Sequence, residues 1–366
     1  MRIFKFGGSS VKDATAMKRV ANIISSHEKC RVVVVSATKS TTNELEVIAN
    51  ASTLSEVNLT EKLIQKLMNR HRDITRELEL DIELSLFEIE SELFEISKSM
   101  NGDGKVISKK MDSLYSIGER LSSLILSRYL QRVSSKNVIL KDIREVLRTN
   151  DQWNLASPLI GETLKNIAKW GEISESDLII TQGFIGSTMT GETTTLGREG
   201  SDFSATILGE VLDASEVTIW TDVAGVATCD PRVLSSARFI PLLNYKHAAL
   251  LAHFGAKVLF ERTLEPAIRK KFPVLVKSTL SPAESGTRIH ELPIKSGPIG
   301  LAIDKDILTI VGEKLLAKDI ILPLKELSEF EIYKQTDEYI SLKILNEDIE
   351  VFAEKIHPWI LEYLHN

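Results

Sequence analysis

Residues Thr181–Asp202 read TQGFIGSTMTGETTTLGREGSD, and the fold follows from how this stretch is parsed. It runs as a strand end, a hairpin, a glycine-rich turn and a helix start. In its last six residues, Gly197-Arg198-Glu199-Gly200-Ser201-Asp202, two glycines let backbone amides turn toward an anion, and Ser201 or Asp202 stands where it can cap the helix SDFSATILGEVL. Arg198 adds a permanent cation whose planar fork suits a carboxylate or a phosphate. Taken alone, the same six residues describe an ordinary left-handed turn before a helix equally well.

A second glycine pair at the start of the chain favours the anion reading. RIFKF is a short strand running into Gly7-Gly8, then two serines and the helical pattern SVKDATAMKRVANIISSH. A strand, a glycine pair and a helix start form the general layout of a phosphate site, because free amides and the positive end of the helix dipole converge there. Lys5 lies just before the glycines and can reach the same anion, although a lone lysine in a strand is usually only solvated. CRVVVVSAT is a β-branched run of the kind buried on both faces of a parallel sheet, and it ends in the polar loop Ser36–Asn43. In α/β sheets, ligands sit at such strand ends.

From about residue 44 to 133 the strand pattern gives way to apolar residues at helical spacing, a helical excursion inserted into an α/β domain. Within it, SIGERLSS places Gly118 inside a helix, where glycine costs about 1 kcal/mol against alanine and usually marks the close approach of another element. Glu119, beside it, reads in isolation as a surface carboxylate. His71-Arg72-Asp73 matches the protein-kinase catalytic triplet, but Leu78 stands where that motif needs asparagine and no DFG follows, so the match is accidental.

Strands return at KNVILKD, SDLIITQGF, SEVTIWTD and FPVLVKST, alternating with helices, which predicts a doubly wound, mostly parallel sheet. VAGVATCDPR is a Gly/Pro loop at another strand end. SPAESGTRIHELPIKSGP breaks the composition, giving a domain at 1–291 and a smaller α+β unit at 292–366 that suits either dimerisation or ligand sensing.

Composition narrows the function. A net charge of -6 and a pI near 5.8 exclude a nucleic-acid role resting on a basic surface. No apolar run approaches the roughly 18 residues of a membrane span, and Met1 leads directly into a strand with no signal-peptide pattern, so a cytoplasmic protein is expected. Cys30 and Cys229 are read as free thiols, and the histidine spacing does not predict a zinc site. Neither a Walker A motif nor G-x-G-x-x-G occurs. The cations, glycines, hydroxyls and carboxylates gathered at strand ends fit a polyphosphate with Mg²⁺ beside an anionic acceptor.

KFGGSSV, VVVSAT, SIGERLSS, GFIGST, TTTLGREGSDFSA, WTDVAGVATCDPR and FGAKVL occur here in the order and approximate spacing of the aspartokinase family, which this chain resembles from residue 2 to about 289. The resemblance implies the amino-acid kinase fold: a three-layer αβα sandwich with a mostly parallel central sheet, the helical excursion, and a C-terminal ACT-like domain. Aspartokinases generally carry two ACT modules, and this chain has room for one. The implied reaction transfers the γ-phosphoryl of Mg-ATP to the β-carboxylate of L-aspartate, the opening step toward lysine, threonine and methionine.

By similarity, Lys5 would neutralise the transferring phosphoryl, Gly7 and Gly8 would offer amides to the phosphates, and Asp202 would orient Lys5. Arg198 would pair with the substrate's α-carboxylate and Glu119 with its α-ammonium, while Thr42, Phe184 and Ser201 line the aspartate pocket. Ser36 would lie near the reacting groups, with Thr221, Asp222, Arg232 and Lys257 on the nucleotide. No protein ligand to the metal is assigned. A homodimer or higher homo-oligomer is expected. The sequence departs from the family at Glu199, where the middle glycine of G-R-G-G-S-D is usual, and at Ala227, commonly tyrosine. These departures motivate one alternative, a binding-only regulatory homologue; a second alternative keeps the kinase chemistry and takes a different acceptor.

Overall fold

The computed structural model describes residues 1–100, 104–255, 260–293, 296–315 and 324–365. The chain forms two compact units, Met1–Asp222 and Val223–Asn366.

The first unit is built on five parallel strands: β1 (Arg2–Phe6), β2 (Cys30–Val35), β3 (Asn137–Leu140), β4 (Asp177–Gln182) and β7 (Glu216–Thr221), in the order β3-β4-β2-β1-β7. Between β4 and β7 the expected hairpin is present as β5 (Ile185–Ser187) and β6 (Thr193–Thr195), paired antiparallel. Alternation along each strand of the sheet sorts side chains between two helical layers. Phe4, Phe6, Val33, Val35, Ile180 and Trp220 pack beneath helices α1 (Ala14–Ser25) and α5 (Gly104–Val133). Ile3 and Lys5 therefore face the opposite side, where α6 (Ile160–Asn166) and α7 (Gly200–Val211) lie, the latter against β1, β2 and β7. The helix-sheet-helix layering expected from the strand and helix alternation is present.

The excursion is a helical subdomain with its own core. Helices α2 (Thr41–Thr53), α3 (Val57–Glu77), α4 (Glu83–Lys98) and the first two thirds of α5 bury Leu45, Ile64, Leu67, Met68, Leu93, Leu114 and Leu121 against one another. Gly118 is where α5 meets the rest of the site. A Cβ there would stand 2.9 Å from both Ala37 Cβ and Thr41 Cγ2, so the glycine inside the helix marks a close approach, as its cost implied.

Two local expectations are corrected. The helix after the first glycine pair does not begin there: Gly8–Val11 forms a single 3₁₀ turn, and α1 starts at Ala14 with Asp13 as its cap through the Ala16 N–H. Nor does Ser201 or Asp202 cap α7. Both lie inside its first turn, and the N-cap is Glu199 in a left-handed conformation, φ 54°, with no side-chain cap bond.

In the second unit, β8 (Leu242–Asn244) and β9 (Val274–Ser278) flank β10 (Thr287–His290), which pairs parallel to β8 and antiparallel to β9, with helices Tyr245–His253 and Glu261–Lys270. The C-terminal module is an antiparallel sheet ordered β11 (Gly297–Asp304), β12 (Ile307–Glu313), β14 (Tyr339–Ile344), β13 (Phe330–Gln335), with helix Ile349–His365 packed against β11 and β12, an ACT-like α+β arrangement. Cys229 and Leu234 sink into this module's core, so the Gly/Pro loop belongs to the same compact unit. Both cysteines are free and buried. Among the described residues, no helix is long and apolar enough to cross a membrane.

Candidate active site

At the C-terminal ends of β1, β2 and β4, a cleft of about 630 Å³ opens between Ser36–Thr42 (a loop that runs into the first turn of α2, called the Ser36–Thr42 loop below), α5 and the first turn of α7. Its lining includes Lys5, Gly8, Ser36, Thr42, Glu119, Phe184, Arg198 and Ser201, nearly all of the residues expected around the acceptor and the transferring group.

Lys5 is not a solvated strand lysine. It is 6% exposed, on the α7 face of β1, and its Nζ lies 2.5 Å from Asp202 Oδ1, itself buried. Strand alternation points the amine at α7, and the first helical turn brings the carboxylate to meet it. A buried ion pair is favourable only when it is well matched. Here it holds the ammonium at the cleft wall rather than letting it snorkel to water.

Glu119 departs furthest from its reading in isolation: it is 4% exposed, not a surface carboxylate. One oxygen, Oε1, accepts the Ala37 N–H at 3.2 Å, while Oε2 is buried without a hydrogen-bond partner. Burial drives this carboxyl from the ordinary 4.5 to about 8, with the Ala37 amide and the Lys5 charge only partly opposing. An orphaned buried acceptor on the wall of a cleft is what a ligand's cation or N–H donor would satisfy.

The turn that carries Arg198 is left-handed at both flanks, Gly197 at φ 80° and Glu199 at φ 54°. It leaves Arg198 exposed at the cleft's lip. Phe184 also holds a left-handed conformation, φ 68°, rare for an aromatic residue and typical of strained functional loops. Its N–H donates to Ser204 Oγ at 2.9 Å and its carbonyl accepts from Leu196 N at 2.8 Å, which holds it over α7. Glu199 reaches solvent. Its carboxyl is nonetheless raised, first by the protein wall behind it and then by Asp202, with Lys5 and Arg198 opposing.

Of the glycine pair, Gly8 lines the cleft, and a Cβ there would come within 2.7 Å of Ala37 O. The Gly7 N–H instead donates to Trp220 O at 3.2 Å, which joins β1 to β7. Thr221 and Asp222 stand at the end of β7, with Thr221 Oγ1 donating to Asp222 Oδ1 at 3.2 Å, outside the cleft's lining. Arg232, in the second unit, is forked onto Asp230 at 2.6 Å. Lys257 lies outside the described residues.

One residue escaped the sequence reading. Asp112 on α5 is fully buried and accepts from Asn154 N at 3.0 Å, Thr195 N at 2.9 Å and Thr195 Oγ1 at 2.7 Å, fixing two segments that line the cleft. Burial raises its carboxyl to about 6 against those three donors. Its only signal in the sequence was a carboxylate set between Met111 and Leu114, within the apolar pattern of a helix.

The model of the amino acid kinase family matches residues 1–278. The chain belongs to the amino acid kinase family. Among its relatives in that family, the lysine-sensitive aspartokinase 3 of Escherichia coli (strain K12) is 39% identical over 298 residues, 78% of this chain and 63% of the relative. An aspartokinase of Chlamydia trachomatis is 36% identical over 296 residues, 78% of this chain and 64% of the relative. The chain thus spans a little under two thirds of the length of these relatives. As an amino acid kinase family member it also superposes on E. coli aspartokinase III in complex with aspartate and ADP, with a TM-score of 0.86 and 26% identity over 99% of this chain and 100% of that one. A second structure of that protein, in complex with lysine and aspartate, gives a TM-score of 0.74 and 31% identity over 98% and 83%.

Proposed function

We propose that this chain is an aspartate kinase, moving the γ-phosphoryl of ATP to the β-carboxylate of L-aspartate to give 4-phospho-L-aspartate and ADP. The observation that carries the reading is a single cleft holding the buried Lys5 amine, the Arg198 guanidinium and the orphaned Oε2 of Glu119. Two cations and a carboxyl that an ammonium would return to its ionised form, at separate points, match an amino acid with two carboxylates and an ammonium. The aspartate and ADP bound by the E. coli neighbour support the same pair of reactants.

The chemistry needs little besides placement. A carboxylate is already ionised at neutral pH, so no base is required. One of its oxygens forms the new P–O bond, the bond from the γ-phosphorus to the bridging oxygen breaks, and ADP leaves with that electron pair. Nucleophile and phosphate repel each other, so fixed positive charge along the line of attack supplies the stabilisation. Lys5, held by Asp202, meets the transferring phosphoryl, and Gly8 borders the phosphate side. Arg198 takes the α-carboxylate and Glu119 the α-ammonium, with Thr42, Phe184 and Ser201 shaping the pocket and Ser36 beside the reacting groups.

Mg²⁺ would neutralise phosphate charge. Among the described residues no group of three or more His, Cys, Asp or Glu could hold a metal ion. Gly7, Thr221, Asp222, Arg232 and Lys257 are assigned to the nucleotide side by resemblance. In this reading residues 1–291 work as the catalytic domain and 292–366 as a single ACT-like regulatory or dimerisation module in a homo-oligomer.

The test is aspartate-dependent ADP release with hydroxylamine trapping of the acyl phosphate. Lys5→Ala should remove nearly all of it, and full activity in that variant would refute the mechanism. A second reading, binding without turnover, draws on Glu199, whose carboxyl adds negative charge at the phosphate side. Calorimetric binding of aspartate or nucleotide with no trapped product would establish it.

A further inference from the structure

The Ser36–Thr42 loop forms one wall of the cleft, and the helical excursion holds it almost atom by atom. From α5, Ser122 Oγ donates to Ser36 O at 2.7 Å and Glu119 accepts from Ala37 N at 3.2 Å. From α3, two neighbouring side chains reach the residues that follow, Thr38 in the loop and Thr41 and Glu44 in the first turn of α2. Arg70 donates through Nη1 to Thr38 Oγ1 at 2.9 Å and through Nη2 to Thr41 Oγ1 at 2.7 Å and Glu44 Oε2 at 2.5 Å. His71, with no exposed surface, lies 3.1 Å from Thr38 Oγ1 through Nε2 and 2.9 Å from Leu67 O through Nδ1.

The proton positions in this cluster follow from its partners. A carbonyl only accepts, so His71 Nδ1 carries the hydrogen, and in the neutral ring Nε2 must then be an acceptor. Thr38 spends its one hydroxyl hydrogen on Nε2. Its lone pairs are left for Arg70 and for the Thr41 hydroxyl at 2.6 Å, and Thr41 in turn accepts from Arg70. Every hydrogen bond in the cluster has one consistent direction, so the two threonine hydroxyls have a single satisfied arrangement. Burial also lowers His71 to about 4, which keeps the ring neutral near neutral pH.

We propose that Arg70 and His71 are positioning residues: through Thr38 and Thr41 they set the path of the Ser36–Thr42 loop, and with it the placement of Ser36, Thr42 and Glu119 in the cleft. The inference rests on the aspartate kinase reading for what the loop does, but not for how it is held. It also gives one residue of the discarded His71-Arg72-Asp73 match a use unrelated to that motif. Arg72 serves elsewhere, pairing with Glu83 at 2.8 Å and Glu90 at 2.7 Å, and Asp73 pairs with Arg76 at 2.7 Å.

The experiment compares Arg70→Met, Arg70→Lys, His71→Ala and His71→Gln in the full chain. Arg70→Met removes three hydrogen bonds and His71→Ala two, and either loss should raise the aspartate KM at least about tenfold, while the ATP KM moves less than about twofold. Lysine and glutamine, which keep a donor or an acceptor, should recover part of the loss. Hydrogen exchange of the amides of residues 36–42, which needs no turnover, should quicken about tenfold in Arg70→Met relative to the parent. Equal changes in both KM values, or unchanged exchange in a folded Arg70→Met, would overturn the proposal. A parent protein with no aspartate-dependent turnover would end the kinase reading instead, and the exchange comparison would still decide whether Arg70 and His71 hold the loop.

Discussion

Replacing Glu119 with glutamine separates the cost of burying a charge from its use. The carboxyl rises from 4.5 to about 8 on folding because burial penalises its ionised form. The folded protein therefore holds this proton more tightly than the unfolded chain. Between those two values the unfolded state binds fewer protons, so stability falls as pH rises through the window and levels off above about 8. At about 1.36 kcal/mol per pKa unit the ceiling is about 5 kcal/mol, and the usual two- to threefold context dependence leaves roughly 2 kcal/mol. Glutamine has the same shape, still accepts from Ala37 N, and carries no charge at any pH. Glu119→Gln should match the parent at about pH 5 and exceed it by roughly 2 kcal/mol at about pH 8.5. Other titrating groups, Asp112 among them, cancel in the difference between the two proteins. Urea unfolding at several pH values without ligand measures this directly, and calorimetry should show aspartate binding weakened at least about tenfold in the variant, because with its oxygen on the Ala37 N–H the uncharged amide turns a donating NH2 toward the ammonium. A constant gap between the two unfolding curves across the range would refute the burial argument.

Two further substitutions test the glycine and left-handed positions. In an exposed helix Gly→Ala stabilises, but Gly118→Ala should destabilise by about 1–2 kcal/mol and raise the aspartate KM, because its methyl meets Ala37 and Thr41 across the loop; a more stable variant in thermal denaturation would contradict this. Glu199→Gly should leave stability within about 1 kcal/mol, as relief of the left-handed strain offsets the freedom glycine gains in the unfolded chain. It should also lower the ATP KM by removing a negative charge near Asp202, and an unchanged ATP KM would show that the carboxyl is not felt there.

Much of this architecture was legible before any coordinates. Strand periodicity, the β-branched run of β2, the glycine pairs and the shift to helical spacing near residue 44 are local properties, and local steric preference writes them along the chain. The cost of a mid-helix glycine pointed to a close approach at Gly118. What the chain alone left open was which distant element each face meets. Lys5 read as a solvated lysine until α7 brought Asp202 to it, and Glu119 as a surface carboxylate until the Ser36–Thr42 loop closed over it. His71 and Asp112 looked like ordinary polar positions on amphipathic helices. Their partners, Thr38 and Thr195, are far away in sequence, and no local pattern records such a pairing. Hydrogen bonds and desolvation depend on distance in space. The chain therefore determined the strands, helices and turns, and only tertiary packing decided which polar groups are buried, which are paired, and which oxygen of Glu119 is left for a ligand.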